Sequence, residues 1–275
     1  MPTERFHLGT TEILVGENLD EAIRIAAGQF AALARQLAAG KRIMTAALAG
    51  GNTPRGLYSM LAAAPFAGIV PWQGIQFYWG DERDVPPTHD DNNYHAANNL
   101  LLSRVAVPAA HIHRIPTGDI TALEAAELYQ HTLAANVPTT QGWPRLDYCL
   151  LGVGADGHTA SLFPGRPTLT ETSRTVVADH IEGRGWRVSL SLLVINNAAQ
   201  ITFLVTGAEK AEIVARILQG GADLAPAAKS LTAQSTEQTA KQPPAKLPAQ
   251  LIAPRDGQLT WILDAEAARL LHRPT

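Results

Sequence analysis

The chain has 275 residues, a formal charge of −3 at pH 7, 46% hydrophobic and 17% charged residues. That length suffices for one large α/β domain burying roughly 70–75% of its unfolded surface, and the absence of any long basic run argues against nucleic-acid binding. The lone cysteine, Cys149, excludes an internal disulfide or a cysteine-based metal cluster, and no run of about 18 apolar residues suggests a membrane span. The first ten residues, MPTERFHLGT, hold no apolar signal core, so a reducing, cytoplasmic location is expected.

In chain order, residues 18–39 carry apolar side chains at helical spacing, with Asn18 placed to cap the start and Gly40 to end it. Residues 42–50, RIMTAALAG, read as a buried strand entering a glycine turn, and a helix near 54–63 follows with Pro54 in its first turn. Residues 74–82, GIQFYWGDE, read as a second strand, 91–103 as a helix, HIHRI (111–115) as a short strand and 121–135 as a helix. LDYCLLGVG (146–154) is a further apolar strand. RTVVAD, WRVSLSLLV and QITFLVTG are strand candidates; 208–219 reads as a helix, LTWIL as a strand and 264–272 as a last helix. Residues 220–246 are small, polar and proline-containing, and are expected to form a mobile surface insertion. Strands alternating with helices, several of them continuously apolar, predict a single Rossmann-like α/β domain over 1–275, its mostly parallel sheet flanked by helices on both faces. Ligands in such folds bind beyond the carboxyl ends of the strands, where Gly50–Thr53, Gly80–Arg83 and Gly152–His158 fall.

The last of these stretches also spells G-x-G-x-x-G, at Gly152, Gly154 and Gly157. A dinucleotide turn should open a long helix and be followed about 20 residues later by an acid on the next strand. Here Pro164, Gly165 and Pro167 limit any helix to about two turns, and Glu171 or Asp179 would have to serve as the acid. His158 has another use: imidazole accepts a proton at neutral pH, and a glycine-rich turn lets a ligand come close. A ring that merely caps local backbone is the plainer alternative.

LAGGNTPRG (48–56) offers free backbone N–H groups at Gly50 and Gly51, the Thr53 hydroxyl and a helix start, a combination that suits phosphate or serves as an ordinary strand-to-helix turn. Alternation puts Asp81 and Arg83 on one side of a strand and Glu82 on the other. His89, Asp90, Asp91 and His95 form a cluster whose spacing matches no strong metal signature, and His111 and His113 read as structural. Arg187 and Lys210 are either solvated charges or phosphate ligands reaching in from neighbouring strand ends. No G-x-S-x-G elbow is present, and Ser161 has no independent case as a nucleophile.

Taken together, AGGNTPRGLY, WGDERDVP followed by DDNNY, LGVGADGHTASLFPG, WRVSLSLLVINNAAQITFLVTGAEKAEIV and LPAQLIAP followed by GQLTWILDAEAA resemble 6-phosphogluconolactonases, in that family's order, from about residue 45 to 268. The resemblance implies a fold shared with glucosamine-6-phosphate deaminase. It also implies hydrolysis of 6-phospho-D-glucono-1,5-lactone to 6-phosphogluconate in the oxidative pentose phosphate pathway, with no metal or organic cofactor. It implies His158 as catalytic base and Asp81 in the active site. Gly50, Gly51, Asn52, Thr53, Arg83, Arg187 and Lys210 would line the sugar-phosphate site. The expected partner is a small phosphosugar lactone, not a nucleic acid or membrane, and the chain is expected to be a monomer or weak homo-oligomer. Asn52 departs from the family's commoner serine, though the backbone donors survive that change, and the 220–246 insertion is longer than usual. The deaminase motif reads roughly DGHIAFNEPG, with a proton-moving glutamate where this chain has Phe163. Two readings compete with the lactonase: an isomerase or deaminase on the same scaffold, and a non-catalytic sugar-phosphate sensor.

Overall fold

A computed structural model describes residues 2–220 and 246–274. The expected insertion at 220–246 therefore lies, apart from Gly220 and Lys246, outside the described residues. The chain begins with a hairpin, β1 (Glu4–Leu8) and β2 (Thr11–Gly16), followed by α1 (Leu19–Ala39). Next come β3 (Met44–Leu48), α2 (Asn52–Leu61), a short α3 (Phe66–Ile69), β4 (Ile75–Trp79), β5 (Asp81–Arg83), α4 (Asn93–Leu100) and α5 (Ala122–Asn136). A two-residue hairpin, β6 (Thr139–Thr140) and β7 (Trp143–Pro144), precedes β8 (Tyr148–Leu151), β9 (Val176–Ile181), β10 (Gly185–Leu190) and a short α6 (Leu192–Ile195). The chain closes with β11 (Gln200–Val205), α7 (Ala211–Gln219), β12 (Gln258–Asp264) and α8 (Ala265–Ala268).

Seven strands form the main sheet in the order β1-β2-β12-β11-β8-β3-β4. All neighbours are parallel except β1 and β2. Every residue of β3 and β8 is buried, as expected for central strands with helices packed over the sheet. This topology decides where a ligand can sit. The chain leaves β3 for β4 on one side, whereas it leaves β8 for β11 on the other, and β3 and β8 are neighbours. Their carboxyl ends diverge into loops that run apart, opening a crevice at the switch point.

Local sequence explains most element ends. Asn18 accepts the Glu21 N–H and starts α1; Thr121 and Glu124 form a reciprocal capping box at α5. Gly40 follows α1 in ordinary right-handed geometry, and the left-handed residue is Lys41 (φ 56°). Several expected elements differ. The run 74–82 is cut at Gly80: its N–H reaches Leu48 O at 2.9 Å while its own carbonyl accepts Leu190 N–H at 2.8 Å, so the chain passes from the main sheet into a second sheet, β5-β10-β9. HIHRI is no strand; only Ile112 makes an isolated bridge, to Phe77 at the sheet edge, and His113 stacks on Tyr78 at 4.7 Å. The strand at 186–194 ends at Leu190, and the last helix is a single turn. The opening hairpin had no element assigned to it, because an outer strand with most residues exposed carries little hydrophobic signal.

Candidate active site

A cleft of about 380 Å³ opens at the switch point. Its wall is made by the turn after β3, by β5 and β10 of the small sheet, by the loop after β8 and by the turn after β11. All nine residues singled out from the sequence line it: Gly50, Gly51, Asn52, Thr53, Asp81, Arg83, His158, Arg187 and Lys210.

The loop after β8 is not a cofactor turn. No helix opens after Gly157; the chain makes tight turns, with Gly157 N–H donating to Gly154 O and Gly154 N–H to His158 O, both at 2.9 Å. Asp179, one candidate for the distant acid, is held by Arg166 at 2.8 and 2.5 Å. The first fold brings the imidazole back over Gly154, where a Cβ would lie 2.0 Å from His158 Cε1 and Nδ1, so only glycine fits there. His158 Nδ1 then lies 2.5 Å from Asp156 Oδ1, which also accepts the His158 amide at 3.1 Å. Partial burial pushes the Asp156 carboxyl up, but the two hydrogen bonds from His158, with its charge and that of Arg184, outweigh burial and hold it below the usual range. An ionised carboxylate can only accept, so the proton of this pair sits on Nδ1 and Nε2 is the basic atom. Phe163 stacks on the ring at 4.3 Å and fixes its plane.

Because the Asp156 value is depressed in the fold, the bonds to its carboxylate are intact above the ordinary carboxylate range and lost as pH falls through the folded value. Protection of the His158 amide against exchange should therefore fall in acid in the native protein, and this acid-dependent component should be absent from Asp156→Asn.

Asp81 is 9% exposed. Its Oδ2 accepts from Ser161 Oγ at 2.7 Å, and Asn93 Nδ2 donates to its carbonyl at 2.9 Å and reaches Oδ1 at 3.5 Å. Gly50 makes room for Asn93: a Cβ there would lie 1.9 Å from Asn93 Oδ1. Glu82, on the other side of the strand, is fully buried and accepts the amides of Arg83, Asn93 and Tyr94 at 2.7–2.9 Å, anchoring α4.

The rest of the cleft favours an anion. Arg83 and Arg187 are register partners on β5 and β10. Among the described residues neither pairs with a carboxylate; Arg83 donates to Asp91 O at 2.6 Å and Arg187 to Trp186 O at 3.0 Å. Burial, and then the Arg83 charge, push Arg187 down from its ordinary value, with the Asp81 carboxylate opposing them. Lys210 Nζ donates to Val153 O at 2.9 Å, and Thr53 and Thr206 hydroxyls meet at 2.9 Å. The α2 N-terminus has no side-chain cap, leaving its first N–H groups for a ligand.

Asp156, Asn93 and Arg184 were not among the expected site residues, and Ser161 was weighed only as a nucleophile. Asp156 had a signal, an acid two residues before an imidazole in a glycine turn; the other three depend on packing between distant segments. The His89, Asp90, Asp91 and His95 cluster brings no three metal-capable side chains together among the described residues.

A doubly wound α/β protein with a cation-lined switch-point cleft and an acid–imidazole pair is the class so defined. Residues 17–261 match the family model described as Glucosamine-6-phosphate isomerases/6-phosphogluconolactonase. The chain is 36% identical over 228 residues to a 6-phosphogluconolactonase of Synechocystis sp., covering 82% of this chain and 84% of that protein. It is 34% identical over 224 residues to one from Haemophilus influenzae, covering 82% and 86%. The solved 6-phosphogluconolactonase of Trypanosoma brucei superposes with a TM-score of 0.76 at 29% identity, over 94% of this chain and 98% of that one. The chain belongs to the 6-phosphogluconolactonase family within the glucosamine-6-phosphate isomerase/6-phosphogluconolactonase superfamily.

Proposed function

We propose that the chain hydrolyses 6-phospho-D-glucono-1,5-lactone to 6-phospho-D-gluconate in the pentose phosphate pathway, with His158 as general base. The observation that carries this reading is the Asp156–His158 pair, which leaves Nε2 as the basic atom of a ring that lines a cleft rich in cations.

A lactone is already a reactive ester, so no covalent enzyme intermediate is needed. Water attacks C1 as Nε2 takes its proton. The carbonyl oxygen gains charge, and the tetrahedral species collapses as the C1–ring-oxygen bond breaks. The leaving ring oxygen takes the proton back from the imidazolium, and the new carboxylic acid ionises in water. Asp156 accepts the Nδ1–H throughout and stabilises the charged ring. Asp81, held by Ser161 and Asn93, is oriented to accept a sugar hydroxyl. The phosphate, remote from C1, is bound by the Gly50–Thr53 turn, Lys210 and Arg187, and its binding energy fixes the ring against His158.

Phe163 speaks against the isomerase or deaminase reading: it stacks on the base and cannot move a proton. Lys210→Ala and Arg187→Ala should each raise KM about 10- to 100-fold, the scale of a lost charged hydrogen bond, with kcat falling less. Unchanged KM in both would place the phosphate elsewhere. The deciding experiment supplies freshly made phosphogluconolactone and follows its disappearance. Acceleration above the spontaneous rate supports a lactonase; binding of 6-phosphogluconate without turnover supports the sensor; ammonia from glucosamine 6-phosphate supports the deaminase.

A further inference from the structure

The Asp156 carboxylate has a second oxygen, and it points at a residue outside the predicted site. Arg184 lies in the Gly183-Arg184-Gly185 turn between β9 and β10, and its Nη2 stands 3.6 Å from Asp156 Oδ2. The same guanidinium lies 5.1 Å from the centre of the Phe163 ring, which in turn stacks on His158. Arg184, Asp156, His158 and Phe163 thus close a loop of contacts in which each member restrains the next. Arg184 also lines the cleft.

We infer that Arg184 is a positioning residue for the reaction: it holds the far oxygen of Asp156 so that the near oxygen accepts Nδ1–H, and it backs the Phe163 ring that stacks on the imidazole. A carboxylate held at one oxygen can rotate about χ2; held at both, it presents a single lone-pair direction to the ring. Partial burial opposes ionisation of Asp156, the His158 hydrogen bonds favour it, and Arg184 adds to the favourable side. The planar fork serves both contacts at once, stacking on Phe163 while facing the carboxylate, which a lysine cannot do. Other charges lining the cleft around the pair are Arg187 from β10, Asp81 and Arg83 from β5, and Glu209 and Lys210 from the turn before α7. Removing Arg184 leaves these in place and takes away the contacts to the far oxygen of Asp156 and to the Phe163 ring, so the carboxylate and the imidazole each lose a restraint.

The kinetic part of this inference rests on the lactonase reading; the spectroscopic part does not. The test compares wild type, Arg184→Gln and Arg184→Lys by following the His158 Nδ1–H resonance by NMR, assigned by its loss in His158→Asn. That resonance should be sharp in wild type, broadened or lost to exchange with water in Arg184→Gln, and partly restored in Arg184→Lys. With phosphogluconolactone, Arg184→Gln should lower kcat about tenfold and leave KM nearly unchanged, and Arg184→Lys should recover only part of kcat. An unchanged Nδ1–H resonance in Arg184→Gln overturns the inference whatever happens to kcat, as does a raised KM with normal kcat, which would make Arg184 a substrate anchor. If wild type leaves the lactone at its spontaneous rate, the functional reading falls while the NMR comparison still decides the role of Arg184.

Discussion

His158→Ala should lower kcat by about 10²–10⁴-fold with little change in KM, the range expected when a positioned general base is lost. The reasoning is geometric. Nδ1 is committed to Asp156 at 2.5 Å, Phe163 covers one face of the ring, and the ring lines the cleft, so the remaining basic atom is the one a water can use. In the proposed reaction the substrate is anchored by the Gly50–Thr53 turn and the cations, so the truncated enzyme should still bind. Competitive inhibition by 6-phosphogluconate should survive in His158→Ala at close to the wild-type constant. A variant that kept its kcat would remove the general-base role, and one that lost inhibitor binding would show that the ring holds substrate instead.

The second large effect is expected from a residue that carries no chemistry. Gly154→Ala should lose activity on the scale of His158→Ala, because the added Cβ would lie 2.0 Å from two atoms of the imidazole and 2.7 Å from Asp156 Oδ1. Carbon atoms do not approach so closely, so either the ring swings away or the loop shifts. Both outcomes break the acid–imidazole pair. The site is at a loop with the main sheet intact beneath it, so the thermal midpoint should fall by only a few degrees, the equivalent of about 1 kcal/mol. Activity measured beside a melting curve separates the two effects. Near-normal kcat in Gly154→Ala would mean that the pair is not needed in this arrangement.

Exchange of Phe163 tests another side of the same geometry. Stacking against His158 at 4.3 Å, it stands at the sequence position where the deaminase motif DGHIAFNEPG carries its glutamate. The contrast illustrates how one scaffold hosts different reactions through single side chains near a common imidazole.

Much of this molecule was legible before any coordinates. The continuous apolar character of residues 44–48 and 148–151 announced central parallel strands, since only strands covered on both faces can dispense with alternation. Asn18 marked a helix start through its own side chain. The glycine turns after β3 and β8 marked the strand ends where ligands bind, and period-two alternation placed Asp81 beside Arg83 with Glu82 turned away. These signals are local: they depend on backbone sterics, periodicity and turn chemistry within a few residues.

Which distant segments meet follows from strand order and packing. Strand order placed Arg187 opposite Arg83, seated Ser161 and Asn93 against Asp81, and brought the β9–β10 turn to Asp156. It also assigned Asp179 to Arg166, cut the expected strand 74–82 at Gly80 and put the first hairpin on the sheet edge. None of these contacts has a local signature, because a hydrogen bond between residues far apart in the chain depends on the packing of every element between them. Local sequence marked the central strands, the glycine turns and the candidate imidazole; the folded arrangement alone set the partners of that imidazole, since partnership follows from the order in which strands assemble.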